Sequence, residues 1–259
     1  MSARSVDGAA RVSALAVETL SRDFGGVRAL DGVGFEVAEG ERLVILGPNG
    51  AGKTTLFNLI TGLETPTAGR IRLRGSDVTR LPPHRRARLG LGRTFQATTL
   101  FPRLTVAESV LLAVQGADRA RFILHRPVSA FPRLAARADA LLEAWALADR
   151  RRVPTRELSY GEQRQLEVVL ALAAEPRVLL LDEPTAGLSP AETVAVAAML
   201  RRLPREVTIL LIEHDMDVAL DLAERLIVLH QGRIVAAGPR EAIERDPRVA
   251  EIYLGADED

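Results

Sequence analysis

Arg42-Leu43-Val44-Ile45-Leu46-Gly47-Pro48-Asn49-Gly50-Ala51-Gly52-Lys53-Thr54-Thr55-Leu56-Phe57-Asn58-Leu59-Ile60 contains the pattern G-x-x-x-x-G-K-[ST] of a phosphate-binding loop. The run Arg42 to Leu46 reads as a short buried strand, and Leu56 to Ile60 as the start of a helix. Strand, glycine loop, helix is the setting that the chemistry needs. Glycines let successive backbone N–H groups curl around phosphate oxygens, and the helix N-terminus adds the positive end of its dipole. Within the loop stands Lys53, the single lysine of a chain whose lysines and arginines total 34. A compact ammonium reaches between the outer phosphates of a nucleotide, where a guanidinium presents a wide planar fork. The loop therefore points to a nucleoside triphosphate, with the Thr54 hydroxyl available to Mg²⁺.

Composition narrows the classes around that reading. The 259 residues suffice for a large core, either one domain or one with a lobe attached. Lys+Arg and Asp+Glu are equal at 34, so the basic footprint of a nucleic-acid binder is missing. Without cysteine there are no disulfides and no thiolate metal sites. His84, His125, His214 and His230 are scattered without ligand spacing. No apolar run approaches the roughly 20 residues of a membrane span. Residues 1–11 lack the apolar core of a signal peptide and are expected to be a disordered leader; 256–259 form an acidic tail.

Along the chain, Ala14 to Leu20, Val33 to Val37 and Ile71 to Arg74 read as strands between glycine turns. Val178 to Leu181 and Val207 to Ile212 read as buried parallel strands, and Arg225 to Leu229 and Arg233 to Ala236 flank a turn at Gln231-Gly232. The middle differs. Thr105-Val106-Ala107-Glu108 is a capping box that opens an apolar-periodic helix through Val114. Residues 116–133 are polar and arginine-rich, with Pro127 and Pro132 expected to break regular structure. Leu134, Ala138, Leu141, Leu142 and Trp145 then recur at helical spacing, with Trp145 read as packed core. A helical lobe over about 97–160 is thus expected as an insert in a single α/β domain spanning 12–255.

Two further clusters carry chemistry. Val178 to Leu181 leads into Asp182-Glu183, and an acid at such a strand end lies beside a phosphate loop and helps hold Mg²⁺. Asp182 suits that role, and Glu183 is placed to polarise an attacking water. Leu158-Ser159-Tyr160-Gly161-Glu162-Gln163 opens a helix, with Ser159 as N-cap and Glu162 three residues on. A serine hydroxyl and N–H groups at a helix start make a second phosphate site. A head-to-tail dimer would let it serve the nucleotide of a partner chain.

In chain order, the Lys53 loop, Gln96 after Phe95, the Ser159 to Gln163 turn, the Asp182-Glu183 strand end and His214 after the last apolar strand resemble the ATP-binding subunit of an ABC transporter. The resemblance implies a P-loop NTPase cassette, α/β in class, with a mixed, largely parallel core sheet, an antiparallel β subdomain and an inserted α-helical subdomain. It implies ATP and Mg²⁺ as cofactors, bound at Gly47, Pro48, Asn49, Gly50, Ala51, Gly52, Lys53, Thr54 and Thr55, with Phe24 stacking on adenine. Ser159, Gly161 and Glu162 would be the contribution of the partner's signature turn. Glu183, His214, Gln96 and Lys53 would be catalytic, with Thr54, Gln96 and Asp182 at the metal. Leu188-Ser189-Pro190 would form the loop that crosses the dimer seam. The signature departs from the usual Ser-Gly-Gly-Gln at Tyr160 and Glu162, which puts the details of contacts between chains in question.

Within the family, Arg93-Thr94-Phe95-Gln96, Ser159 to Arg164, Leu211 to Met216 and the ending Asp246 to Gly255 are similar to the ATPases of branched-chain amino-acid uptake. Urea or amide uptake and lipopolysaccharide export use related ATPases, and a non-transport ABC ATPase is the alternative of a different class. The resemblance implies separate integral-membrane permeases and a second ABC ATPase, identical or different. A solute-binding protein would engage only indirectly, with no nucleic acid, and the subunit would sit peripherally on the cytoplasmic face of the inner membrane.

Overall fold

The computed structural model describes residues 13–94, 100–118 and 130–254. Its centre is a six-stranded sheet. β3 (Arg42–Leu46) lies between β9 (Arg225–His230) and β8 (Thr208–Ile212), followed outward by β7 (Val178–Asp182) and β6 (Leu91–Arg93). All five run parallel; β10 (Arg233–Gly238) closes one edge antiparallel to β9. The β9–β10 hairpin turns at Gln231 and Gly232, both at positive φ as a tight two-residue hairpin turn requires.

Strands covered on both faces should be apolar along their run, and these are, except at their ends, where Arg42, Thr208 and Asp182 stand. Every residue of β3, β7 and β8 is buried. Alternation divides them between two cores. Leu43, Ile45, Val178, Leu180, Leu210 and Ile212 face α1 (Lys53–Thr61) and a second, four-stranded antiparallel sheet. That sheet orders β2 (Val27–Ala38), β1 (Ser13–Phe24), β4 (Ala68–Leu73) and β5 (Ser76–Asp77). Val44, Leu46, Leu179, Leu181, Ile209 and Leu211 face the other way, onto the helices of the opposite layer.

That layer contains α3 (Val106–Ala117), α4 (Pro132–Ala144), α5 (Tyr160–Leu172), α6 (Pro190–Arg201) and α7 (Met216–Leu222). A short α2 (Pro83–Arg88) precedes β6, and α8 (Arg240–Glu244) and α9 (Pro247–Leu254) come after β10. Thr105 caps α3 with a full capping box, as its sequence predicts. Pro132 corrects one expectation. Instead of breaking structure it stands at the first helical position of α4, where a missing N–H costs nothing and the fixed φ suits the helix. The long strands β1 and β2 also exceed their sequence-predicted cores, because register shifts along their pairing interrupt the alternation that marks a strand. Trp145 is half-buried against the helical core, as its spacing predicts. The expected leader at 1–11 and tail at 256–259 lie outside the described residues.

Candidate functional site

The phosphate loop starts where β3 ends. A Cβ at Gly47 would stand 2.1 Å from the Leu229 carbonyl oxygen, and one at Gly52 2.7 Å from that of Ala29, so the backbone lies flush against β9 and β2. The loop thus needs glycine at both positions. Its outer rim, Pro48 to Ala51, faces an open groove whose far wall includes Arg233 and, on α9, Arg248 and Glu251.

The start of α1 differs from that of its neighbours. α3, α5 and α6 each begin with a complete capping box. α1 has Gly52 at its cap, no side-chain cap bond and no acid in its first turn. The N–H groups that a helix start leaves without intrahelical partners are here offered to an anion. Lys53 is 6% exposed, and its Nζ donates to the carbonyls of Gly47 (2.5 Å) and Pro48 (3.1 Å), holding the loop curled. Burial lowers the Lys53 pKa, while the fields of Glu183 and Asp182 oppose the shift, which places all three groups in one electrostatic site. Thr54 is exposed and Thr55 half-buried. At the end of β1, Phe24 is 40% exposed, with the Arg22 guanidinium stacked 4.4 Å from its ring centre.

Asp182 ends β7 almost fully buried. Arg93, at the end of neighbouring β6, donates from Nη2 to its Oδ2 at 2.8 Å and from Nη1 to Asn58 Oδ1 and Thr61 Oγ1 on α1. One guanidinium therefore ties the acidic strand to the phosphate-loop helix. Glu183 adopts φ +47°, a left-handed conformation that non-glycine residues seldom take, while its N–H still pairs with Ile212 on β8. The twist carries its side chain out of the alternation of β7. Beyond it, Thr185 donates from N–H and Oγ1 to Glu213 Oε1 (3.2 and 2.8 Å). Glu213 is fully buried, and this burial raises its pKa. His214 is exposed in the turn after β8. Gln96 lies outside the described residues.

A hydroxyl at Thr54 and a carboxylate at Asp182 are the hard oxygen donors that Mg²⁺ takes. Among the described residues no group of three His, Cys, Asp or Glu is placed to hold a metal. A Mg²⁺ ion here would accordingly complete its shell with phosphate oxygens and water, as that ion ordinarily does.

The signature turn forms a separate cluster. Ser159 is exposed, and its Oγ accepts the Glu162 N–H while Glu162 Oε2 accepts the Ser159 N–H. Glu162 Oε1 accepts from Arg150 at 2.7 Å, so both of its carboxylate oxygens serve their own chain. The buried Gly161 donates its N–H to Glu192 Oε1 at 3.0 Å. Three participants escape a reading of the sequence. Arg93 and Glu213 stand there only as markers of kinship, and nothing in their spacing announces their contacts. Glu192 is legible in part: Ser189-Pro190-Ala191-Glu192 has the same capping-box spacing as Ser159 to Glu162.

Comparison with known proteins agrees with this geometry. The chain is 40% identical over 248 residues, 93% of its length and 97% of the relative's, to the "High-affinity branched-chain amino acid transport ATP-binding protein BraF" of Pseudomonas aeruginosa. It is 39% identical, with the same coverage of both chains, to the protein LivG of Escherichia coli, which carries the same description. Among solved structures, the ADP conformation of the ATP-binding cassette MJ1267 superposes with a TM-score of 0.83 at 31% identity, covering 94% of this chain and 99% of that one. A dimeric post-hydrolysis cassette, MJ0796 bound to ADP and Pi, gives 0.74 at 26% identity, covering 87% of this chain and 98% of that one. The family model described as ABC transporter matches residues 30–186, and this chain belongs to that family.

Proposed function

We propose that this ABC ATPase powers the import of branched-chain, hydrophobic amino acids. The observation that carries the catalytic reading is the uncapped start of α1, with Lys53 held in the field of Asp182 and Glu183. ATP would lie with its phosphates on the N–H groups of Gly50 to Thr55 and its adenine on Phe24. Lys53 would leave the Gly47 and Pro48 carbonyls to take up the outer phosphates. Mg²⁺, when bound at Thr54 and Asp182, supplies charge neutralisation for the phosphates. Glu183 orients a water and takes up its proton as the water oxygen bonds the γ-phosphorus. The bond to the β,γ-bridging oxygen breaks, and ADP and phosphate leave. Gln96 and His214 would complete the surroundings of the γ-phosphate.

Ser159 and Gly161 would contact the γ-phosphate bound to a second cassette, so that ATP closes a head-to-tail pair and hydrolysis opens it. The helical layer would pass this motion to separate permeases, with a solute-binding protein engaged only through them. Among the described residues no helix is long and apolar enough to cross a membrane, which suits a subunit held peripherally on the cytoplasmic face. The choice of solute rests on the two relatives described as branched-chain amino acid transport proteins.

The test has two arms. Wild type should hydrolyse ATP, and Glu183→Gln should reduce the rate by roughly a hundredfold or more, as loss of a group that acts on the attacking water does. Equal rates in both would sink the catalytic assignment. Deletion of the coding sequence should abolish uptake of labelled leucine; uptake of leucine retained and of urea lost would reassign the solute.

A further inference from the structure

Ser159 and Ser189 open α5 and α6 with the same device, each accepting the N–H of a glutamate three residues on. Glu162 keeps to its own turn and to Arg150. Glu192 does not. Its Oε2 accepts from the Ser189 N–H (3.1 Å) and hydroxyl (2.7 Å), while Oε1 crosses to the Gly161 N–H. The approach is close: a Cβ added at Gly161 would lie 2.8 Å from Glu192 Cγ. Nearby, Tyr160 lines the space over Gly187, its Cε1 lying 3.4 Å from where a Gly187 Cβ would stand. The first turn of α6 is therefore tied to the turn that opens α5 by the Glu192–Gly161 hydrogen bond, and Tyr160 lies beside the loop at Gly187.

The chemistry of the first tie matters. Gly161 N–H is one of the donors that the composite site offers to the partner's γ-phosphate. One N–H points along one direction and serves one strong acceptor at a time. A carboxylate and a phosphate oxygen, both anionic, repel each other at the distance such sharing demands. We infer that Glu192 is a positioning residue of the composite site: in the separate chain its carboxylate occupies the Gly161 N–H that the partner's nucleotide needs, and it yields that donor as two chains close. This rests on the reading of Ser159 and Gly161 as the half-site completed by a partner.

The carboxylate titrates at about 2, held there first by the Ser189 hydroxyl and then by the N–H groups of Gly161 and Ser189, so protonation does not release it at working pH. A competing anion is the agent that the closing partner brings. Oε2 stays on the Ser189 N–H and hydroxyl, so release of Oε1 leaves the α6 cap in place and gives up only the Gly161 N–H.

The experiment measures ATP-dependent dimerisation by light scattering in a Glu183→Gln background, across a series of ATP concentrations. Glu192→Gln keeps the size of the side chain and an acceptor oxygen, so the α6 cap survives; Glu192→Ala removes the contact altogether. Both should lower the ATP concentration for half-maximal dimerisation by roughly three- to tenfold, since a charge-assisted bond competing with the nucleotide has been removed. Hydrogen exchange at the Gly161 amide should quicken in both separate chains. For Glu192→Gln, which keeps the cap, a purely structural role predicts the opposite, weaker dimerisation and a lower melting temperature. Ser159→Arg separates the two readings. If the parent forms no ATP-dependent dimer, or one that survives Ser159→Arg, the composite site itself is wrong. A dimer that needs Ser159 but is unchanged or weakened by Glu192→Gln overturns the role of Glu192 alone.

Discussion

Arg86 sits at 1% exposure with no ion-pair carboxylate among the described residues, and replacing it should be among the most damaging single changes in the chain. From α2 its guanidinium reaches four carbonyls: Leu59 and Ile60 through Nη1 (2.6 and 2.7 Å), Leu81 through Nε (2.8 Å) and Thr79 through Nη2 (2.9 Å). Leu59 and Ile60 belong to the last turn of α1, where carbonyls run short of helical donors, although that of Leu59 also accepts the Gly62 N–H. Gly62 makes room, since a Cβ there would stand 2.7 Å from Arg86 Nε. Burial lowers the Arg86 pKa to about 10, against a small upward pull from Asp77, so the group stays cationic at neutral pH. Arg86→Met keeps much of the length and removes the donors. Leu59 O keeps the Gly62 N–H; the three carbonyls left stranded cost about 1–3 kcal/mol each, and relief from burying a cation returns several kcal/mol. The net expectation is a loss of about 3–5 kcal/mol, in the range for breaking a buried charged contact. For a chain of this size that lowers the melting temperature by on the order of 10 °C. Arg86→Lys should recover little, because one ammonium cannot reach carbonyls spread around a planar fork. Thermal unfolding followed by circular dichroism is the assay. A shift below about 3 °C for Arg86→Met, equivalent to about 1 kcal/mol, would refute the view that this side chain terminates the phosphate-loop helix.

Three other outcomes are expected. Lys53→Arg retains the charge but should lose ATP turnover while melting within a few degrees of wild type; normal steady-state hydrolysis would contradict the compact-cation argument. Arg93→Met removes the ion pair that holds Asp182 and should raise the Mg²⁺ concentration needed for half-maximal activity, read by titrating the metal at fixed ATP; an unchanged requirement would show that Arg93 does not orient the carboxylate. Glu213 is an acid whose folded-state pKa is raised by burial, so its neutral form is favoured in the native chain. Stability should therefore fall as pH rises from the ordinary value of 4.5 through the folded pKa, and Glu213→Gln should remove that part of the slope, measured by urea unfolding across pH.

Much of this molecule is legible in its sequence, for identifiable reasons. The loop around Lys53 is legible because backbone contact with phosphate demands glycines at fixed spacing. β7 and β8 are legible because a strand covered on both faces has an unbroken apolar run, here Val178 to Leu181 and Ile209 to Ile212. Ser159 and Thr105 are legible because capping is local. What stays hidden depends on distant partners. Nothing local in Pro83-His84-Arg85-Arg86-Ala87-Arg88 distinguishes Arg86 from its exposed neighbours; the four carbonyls around it come from other segments. Arg93 likewise gains its role from β7 and α1, which only the sheet order brings beside it. Glu192 shows both limits at once, since its cap for Ser189 is written in the spacing but its reach to Gly161 is not.

The burial of Lys53 turns the chain's composition into a reporter. An endoprotease that cuts only after lysine has a single scissile bond here, between Lys53 and Thr54, dividing the sequence into residues 1–53 and 54–259. That bond lies in the first turn of α1 and is cut only when the turn opens. Digestion in native buffer would thus clock the opening of the phosphate loop alone, with no background from other sites. Bound nucleotide should slow the clock, and every chain found cut has lost its phosphate cradle in the same event.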